Sequence, residues 1–356
     1  MTNAISIAQY GSSNPTFRNR IINGAMVIDQ RNSGASVTPT ATSYTIDRWL
    51  GTISQSSKLS FQQNAGSITP PIGFSNYLGI TSLSAYSVNS SDYFAIRQKI
   101  EGYNVADLNW GTANAKTVTL SFQVYSSLTG TFGGSLLNSS QARSYPFSYS
   151  IPTANTWTQV SVTIPGDTTG TWLTTNGIGI DIFFGLGMGS SNVSTANSWQ
   201  SGTYYSVTGA TSVVGTNGAT FYITGVQLEA GSVATPFEYR QYGTELALCQ
   251  RYCYAQTNGN TGDRVGLGYC GTTTLYNLLL TVPVTMRSAP TLTSCSPITV
   301  NDNQAGYNSS AISIGDQVTP YSVYLKITTS GMTVGRGAQA YWTSGSGNSM
   351  ILSAEL

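Results

Sequence analysis

The chain has 356 residues, a formal net charge of +1 and no histidine; 8% of its residues are charged and 40% are hydrophobic. That balance excludes a charge-driven disordered chain and argues against a nucleic-acid partner, since a phosphate backbone calls for clustered Lys and Arg. Without histidine there is no Ser-His-Asp or Cys-His unit and no histidine-ligated metal. The length suits one large domain and one smaller one. No apolar run is long enough for a helical membrane span. Met1-Thr2-Asn3-Ala4-Ile5-Ser6-Ile7 lacks a basic patch followed by an apolar core, so no signal peptide is expected.

Along the chain, residues 1–19 are polar and aperiodic, either a frayed terminus or, on the resemblance given below, an N-terminal docking arm. Residues 118–125 alternate apolar and polar with period two, the mark of a half-buried strand. Residues 158–164 repeat the pattern and stop at the turn Pro165-Gly166-Asp167. Residues 178–184 and 220–228 complete the clearest set, while the glycine-rich 185–191 reads as a loop. Strands at this spacing predict an all-β fold, a two-sheet β-sandwich over residues 20–240, which the resemblance given below makes a jelly roll. Residues 241–258 form a connecting helix, with Thr244 as its cap and Leu246, Cys249 and Cys253 as its apolar stripe. The stripe either docks on its own domain or forms a seam between protomers, and the first is favoured because one short helix cannot sustain a coiled coil. Residues 259–356 form a smaller C-terminal β domain, with strands at 274–284, 292–300, 322–328 and 350–356. No long period repeats, so a β-helical solenoid is not expected.

The four cysteines lack the paired CxxC spacing of a zinc site and read as small buried apolar side chains. Nothing in the pattern calls for a cofactor or a metal. Glycoside hydrolysis needs two carboxylates roughly 5–9 Å apart; fourteen acids are present, and nothing singles out a pair, so no catalytic residue is assigned. Binding is better supported. Six Trp and twenty-two Tyr lie in polar, loop-rich settings, and aromatic faces with neighbouring amides and hydroxyls suit sugars. Trp172, Trp199, Tyr204, Tyr205 and Tyr145 are the candidate ligand-binding residues. Trp49, Trp110 and Trp157 begin or end strands and are assigned to the core.

Several runs carry a resemblance. Phe17-Arg18-Asn19-Arg20-Ile21-Ile22-Asn23-Gly24-Ala25-Met26, Ile28-Asp29-Gln30-Arg31-Asn32 and Tyr44-Thr45-Ile46-Asp47-Arg48-Trp49 resemble the opening of tail-fibre and other appendage proteins of tailed bacteriophages. Val226-Gln227-Leu228-Glu229-Ala230-Gly231, Phe237-Glu238-Tyr239-Arg240 and the run from Tyr242 to Tyr252 also resemble that group, and Pro283 to Leu292 resembles the tail halves of the same proteins. Ile21 to Met26 is similar to the opening strand of jelly-roll carbohydrate-binding modules of the family 4/9 type. Residues 96–102 with 116–126 resemble their middle, and 221–229 their closing strand. Those modules often hold a structural calcium near both ends; here Ala25 and Thr224-Gly225 occupy the acidic places, so no calcium is expected.

The resemblance implies a virion protein made in the host cytoplasm and exposed on the particle. It would be a tail-fibre or appendage subunit, homotrimeric, whose partners are other virion structural proteins and a host surface glycan, with no membrane insertion. The alternatives are a capsid decoration or head-fibre protein and a host polysaccharide depolymerase.

Overall fold

The structure, a computed structural model, describes residues 17–258, 260, 262–343, 347 and 349–356. The expected docking arm lies outside these residues except for Phe17, Arg18 and Asn19. The chain divides into two compact units. Trp49–Arg240, Gly34–Thr45 and the described residues up to Val27 form the first, and Ile28–Ser33, Ile46–Arg48 and Gln241–Leu356 form the second.

The first part of the chain supplies β1 (Ser43–Ile46), β2 (Trp49–Ile53), β3 (Leu59–Gln63), β4 (Leu78–Ser82), β5 (Tyr93–Glu101), β6 (Val118–Ser126) and β7 (Gly130–Leu137). It continues with β8 (Arg143–Ile151), β9 (Thr158–Ile164), β10 (Ile178–Met188), β11 (Val193–Ser194), β12 (Gln200–Ser201), β13 (Ser206–Val207) and β14 (Thr220–Ala230). They form a seven-stranded sheet, β1-β2-β5-β10-β7-β8-β12, a five-stranded sheet, β3-β4-β14-β6-β9, and a short β11-β13 pair. The two larger sheets face each other as a jelly-roll β-sandwich. Phe122 of β6 meets Phe184 of β10 edge-on at 5.1 Å, and Phe94, Phe132 and Phe147 are fully buried around them. The period-two pattern of β6 places Leu120, Phe122 and Val124 in this core and turns Ser121, Gln123 and Tyr125 to the other face.

Two local expectations differ from the structure. Residues 185–188 continue β10 rather than forming a loop, pairing Gly185 with Ala95 and Gly187 with Phe94 through a bulge. Glycine is required there by crowding: a Cβ on Gly187 would lie 2.5 Å from Val214 Cγ1. Conversely, residues 21–26 form no strand, because Asn23 and Met26 both hold positive φ near 58°. Side-chain amides replace the ladder. Asn19 Nδ2 donates to Val226 O, its Oδ1 accepts from Ile21 N and Leu228 N, and Gln98 exchanges two bonds with the backbone of Ile22. Gly24 is fixed by contact, since a Cβ there would lie 2.2 Å from Val226 O. Below it the Phe17, Arg18 and Asn19 amides all donate to the Glu238 carboxylate, which these bonds hold below the usual carboxylate range against the opposing effect of burial.

The second unit contains helix α1 (Tyr242–Gln250), β15 (Cys253–Thr257), β16 (Arg264–Cys270), β17 (Leu275–Thr281), β18 (Thr291–Cys295) and β19 (Ile298–Asn301). It ends with β20 (Gly306–Asn308), β21 (Ala311–Thr319), β22 (Ser322–Thr328), β23 (Gly337–Trp342) and β24 (Ser349–Ser353). A three-stranded sheet, β15-β24-β18, and a seven-stranded sheet, β20-β19-β23-β16-β17-β22-β21, enclose a core of Tyr276, Leu325, Trp342, Met350 and Leu352. The expected strand over 292–300 is two strands in different sheets, broken at Ser296-Pro297, where proline offers no N–H for a ladder.

The helix is shorter than the sequence suggests. Gln241 is its N-cap, with no side-chain cap bond, and Thr244 sits inside the first turn. Cys253 and Tyr254 leave the helix to pair with Ser353 and Leu352 of β24. Cys249 is fully buried and Leu246 half-buried. Burial raises the Cys249 and Cys253 thiols, so both act as neutral packing groups.

The segments Ile28–Ser33 and Ile46–Arg48 bring a charge cluster into this unit. Arg48 lies 3.6 Å over the Tyr252 ring and binds Glu355, which Arg31 also reaches at 2.9 Å. Asp47, fully buried, accepts bonds of 2.6 Å from both the backbone and side-chain nitrogens of Gln30.

Candidate functional site

The outward face of the five-stranded sheet carries an aromatic platform. Tyr125 of β6 lies beside Tyr222 of β14 in the ladder, and their rings stack 5.3 Å apart and 8° from parallel. Tyr222 stacks in turn on Tyr77 at 5.1 Å. Trp157, just before β9, sets its ring against Tyr77 at 5.6 Å and Tyr125 at 5.5 Å. Tyr77 is fully buried and donates from its hydroxyl to Ala65 O at 2.6 Å, while Trp157 Nε1 donates to Thr69 O at 2.9 Å. Gly79 lets Ala65 close over the sheet beside Tyr222, which is itself buried; a Cβ there would lie 2.5 Å from Ala65 Cβ and 3.0 Å from Tyr222 Cδ1. Burial raises the Tyr77 and Tyr222 phenols, so they stay neutral.

Amides adjoin the rings. Gln123 stands two residues before Tyr125, about 7 Å along the strand, and its side chain donates to that of Gln159 on β9. Tyr125, Gln123 and Trp157 are half-exposed and Gln159 is exposed. Gln123 also pairs in register with Thr224, next to Gly225, against which Phe74 packs. Phe74, Phe237 and Tyr239 form a second ring cluster with centroids 4.9–5.5 Å apart. The face therefore presents rings at two ends with neutral amides between them. This composition can stack on C–H surfaces and exchange hydrogen bonds with hydroxyl groups, and it offers no charge.

The residues named from sequence fall in two places. Trp172 and Trp199 meet edge-to-face at 5.4 Å, and both contact Trp110, at 4.7 and 5.4 Å. Their indole N–H groups donate to Thr169 O and Pro165 O. Tyr145 packs 5.1 Å from Trp199 and is only 3% exposed, so it supports that ring and presents no face to a ligand. The loop under these rings is fixed by Asp167, which takes a bidentate pair from Arg143 at 2.7 and 2.8 Å and bonds from Thr169. Elsewhere, Tyr205 stacks on Phe183 at 4.6 Å and donates to Gln141. Arg97, paired with the buried Asp181, lies 4.5 Å over the other partner of that stack, Phe183. Tyr204 is half-buried beside Gly202.

Sequence reading missed the platform. Trp157, assigned to the core, does pack against the buried Ala65–Tyr77–Tyr222 cluster while staying partly exposed, and Tyr125 and Tyr222 were not singled out. The signal was present: Tyr125 follows Phe122 and Val124 in the register that turns it away from the core.

The acids have structural partners. Asp92 accepts from Ser54, Tyr86 and Asn89, which hold it below its ordinary range despite burial. Glu229 accepts from Thr235 and Gln227, and Asp302 from Gln304, Ala305 and Thr333. Among the described residues no group of three or more His, Cys, Asp or Glu could hold a metal ion.

No protein-family model matches the chain, and no curated protein matches it. Similar solved structures include the enzymatically active domain of bacteriophage CBA120 tailspike protein 4, at 12% identity and a TM-score of 0.32, covering 60% of this chain. The matched part is 22% of that tailspike chain. A CBM4 structure matches at 16% identity over 59% of this chain and 98% of its own, with a TM-score of 0.29. A family 11 carbohydrate-binding module from Clostridium thermocellum matches at 10% identity over 57% and 99%, with a TM-score of 0.29. With likenesses this distant, function is argued from the side chains of this chain.

Proposed function

We propose that this chain is a glycan-binding structural protein of a tailed-bacteriophage particle, a tail-fibre or appendage subunit that meets the host surface. The observation that carries the binding part is the partly exposed Tyr125–Trp157 pair, backed by the buried Tyr222 and set beside Gln123 and Gln159, a neutral edge of rings and amides on a rigid sheet. The phage part rests on the appendage-like runs at Phe17–Trp49 and Val226–Tyr252. Homotrimeric assembly and contact with other virion proteins follow from that resemblance alone. Binding without catalysis fits Asp92, Asp167, Glu229, Glu238 and Asp302, whose oxygens are engaged in holding loops.

The test is a glycan array built from host capsule and lipopolysaccharide fragments, probed with the full chain and with Tyr125→Ala and Trp157→Ala. Retention of a neutral oligosaccharide, weakened about tenfold in either variant, is expected. Undiminished binding in both variants, or no binding to any glycan, would refute the site. Release of reducing ends would replace the reading with a depolymerase. Gold-labelled antibody on intact particles separates a tail appendage from a capsid decoration by where the label falls.

A further inference from the structure

The seven-stranded sheet of the first unit loses its outward side chains at one end. Phe184 of β10 points into the sandwich core against Phe122, so Phe183 and Gly185 face outward. Gly133 of β7 lies beside Gly185; its carbonyl oxygen is 3.1 Å from where a Gly185 Cβ would be. Strand β13 closes over these glycines, and a Cβ on Gly133 would lie 2.4 Å from Ser206 Oγ and 2.7 Å from Val207 Cγ2. Glycine inside a strand weakens it and marks a close approach of backbone or ligand. Here it admits β13 and leaves a pit beside that strand, a cavity of about 290 Å³ floored by Gly185 and Gly187.

The walls of the pit are tied down. β13 pairs in parallel with β11, Val193 beside Ser206. Tyr205 N donates to Asn192 O, and Thr211 N donates to Thr131 O at 2.7 Å, which returns the loop after β13 to β7. The lining sets Ser190, Thr208 and Thr211 around the apolar Val193 and Val207, and it carries neither a charged nor an aromatic side chain. Ser206, which also lines the pit, is 0% exposed, and its Oγ has no hydrogen-bond partner among the described residues. A buried hydroxyl without a partner costs stability, so this group gains from a ligand that brings one.

We propose that this pit binds a single neutral pyranose ring. Its volume is roughly the share of ten waters in the liquid, enough for one sugar ring. Hydroxyls on several sides exchange hydrogen bonds with those of the sugar, while Val193 and Val207 meet its C–H surface. With no Lys, Arg, Asp or Glu in the lining, a charged sugar would be desolvated there without a counter-charge. The site lies on the sheet opposite the Tyr125 platform and stands or falls independently of it. Few contacts and no stacking ring set the expected dissociation constant in the millimolar range.

Saturation-transfer difference NMR of the full chain tests it, with free glucose, galactose, mannose and N-acetylglucosamine titrated to about 50 mM and thermal melts to confirm folding. At least one of these sugars should bind saturably. Ser206→Ala should weaken that binding about fivefold and melt no lower than the parent, because it removes a hydroxyl with no partner in the protein. Ala210→Trp, at a half-buried position in the lining, should fill the pit and abolish binding. Tyr125→Ala should bind the free sugar as the parent does, which separates this site from the platform. Absence of saturable binding by all four sugars overturns the proposal. So does binding that Ser206→Ala and Ala210→Trp leave unchanged, or binding that Tyr125→Ala alone removes.

Discussion

Asp47 gives the second unit a pH dependence with a definite sign. Burial raises its carboxyl from 3.8 to about 7, opposed by Arg31 and by the two Gln30 donors. An acid whose folded pKa is raised contributes stability that is complete below its unfolded value, near 3.8, and is lost as pH climbs through about 7. The whole window corresponds to about 4 kcal/mol, of which about 2 kcal/mol falls above pH 5.5. For a unit of this size that lowers the melting temperature by roughly 6–12 °C between pH 5.5 and 8. Scanning calorimetry at both pH values and constant ionic strength, on the parent and Asp47→Asn, measures it. The variant should show little change in the transition of the second unit. The transition of the first unit, which does not contain Asp47, should be the same in both proteins and serves as an internal control. A parent that gains stability toward pH 8, together with a strongly destabilised Asp47→Asn, would refute the reasoning: Asp47 would then be an ionised partner of Arg31.

Gly225 holds φ +61° with Phe74 2.6 Å from a Cβ position, so Gly225→Ala should cost about 1–3 kcal/mol by thermal unfolding and loosen the Phe74 end of the platform. Glu238→Ala removes the acceptor for three backbone amides and should cost about 2 kcal/mol. Because that carboxyl is held low, the parent's stability from it is present above the unfolded pKa and should be lost on acidification, a loss the variant will not show. Asp167→Ala frees Arg143 and the loop beneath Trp172 and Trp199, and should shift tryptophan emission to the red with glycan retention at Tyr125 unchanged. Retention itself should vary less than about twofold between 0.05 and 0.5 M salt, since the platform carries no charge; a steep salt dependence would indicate an ionic ligand.

The all-β character and the strands 118–125, 158–164 and 220–228 were legible because period two is a direct consequence of burying one face of a sheet. The irregular run at 21–26 was not, since its hydrogen bonds come from Asn19 and Gln98 rather than from a ladder. Nor was the grouping of Ile28–Ser33 and Ile46–Arg48 with the C-terminal strands: Arg31 and Arg48 find Glu355 about three hundred positions away, a pairing that no local pattern encodes. The same limit applied to the site. Trp172 and Trp199 are together because the Asp167 loop folds under them, whereas Tyr125 and Trp157 become neighbours only through the pairing of β6 with β9. Exposed rings could be guessed one at a time; a platform is a property of register.

The scarcity of charge has a structural counterpart. Arg48 with Glu355, Arg97 with Asp181, Arg143 with Asp167 and Arg240 with Glu238 are all largely withdrawn from solvent. Each fixes a segment that lacks a ladder of its own or closes over an aromatic ring. Such pairs are weak sources of net stability, but removing one partner leaves the other buried and uncompensated, so they hold irregular backbone in a single arrangement. The outer faces are thereby left to rings, amides and hydroxyls. A surface of that kind recognises a partner at short range, by shape, stacking and neutral hydrogen bonds. It exerts little long-range attraction or repulsion.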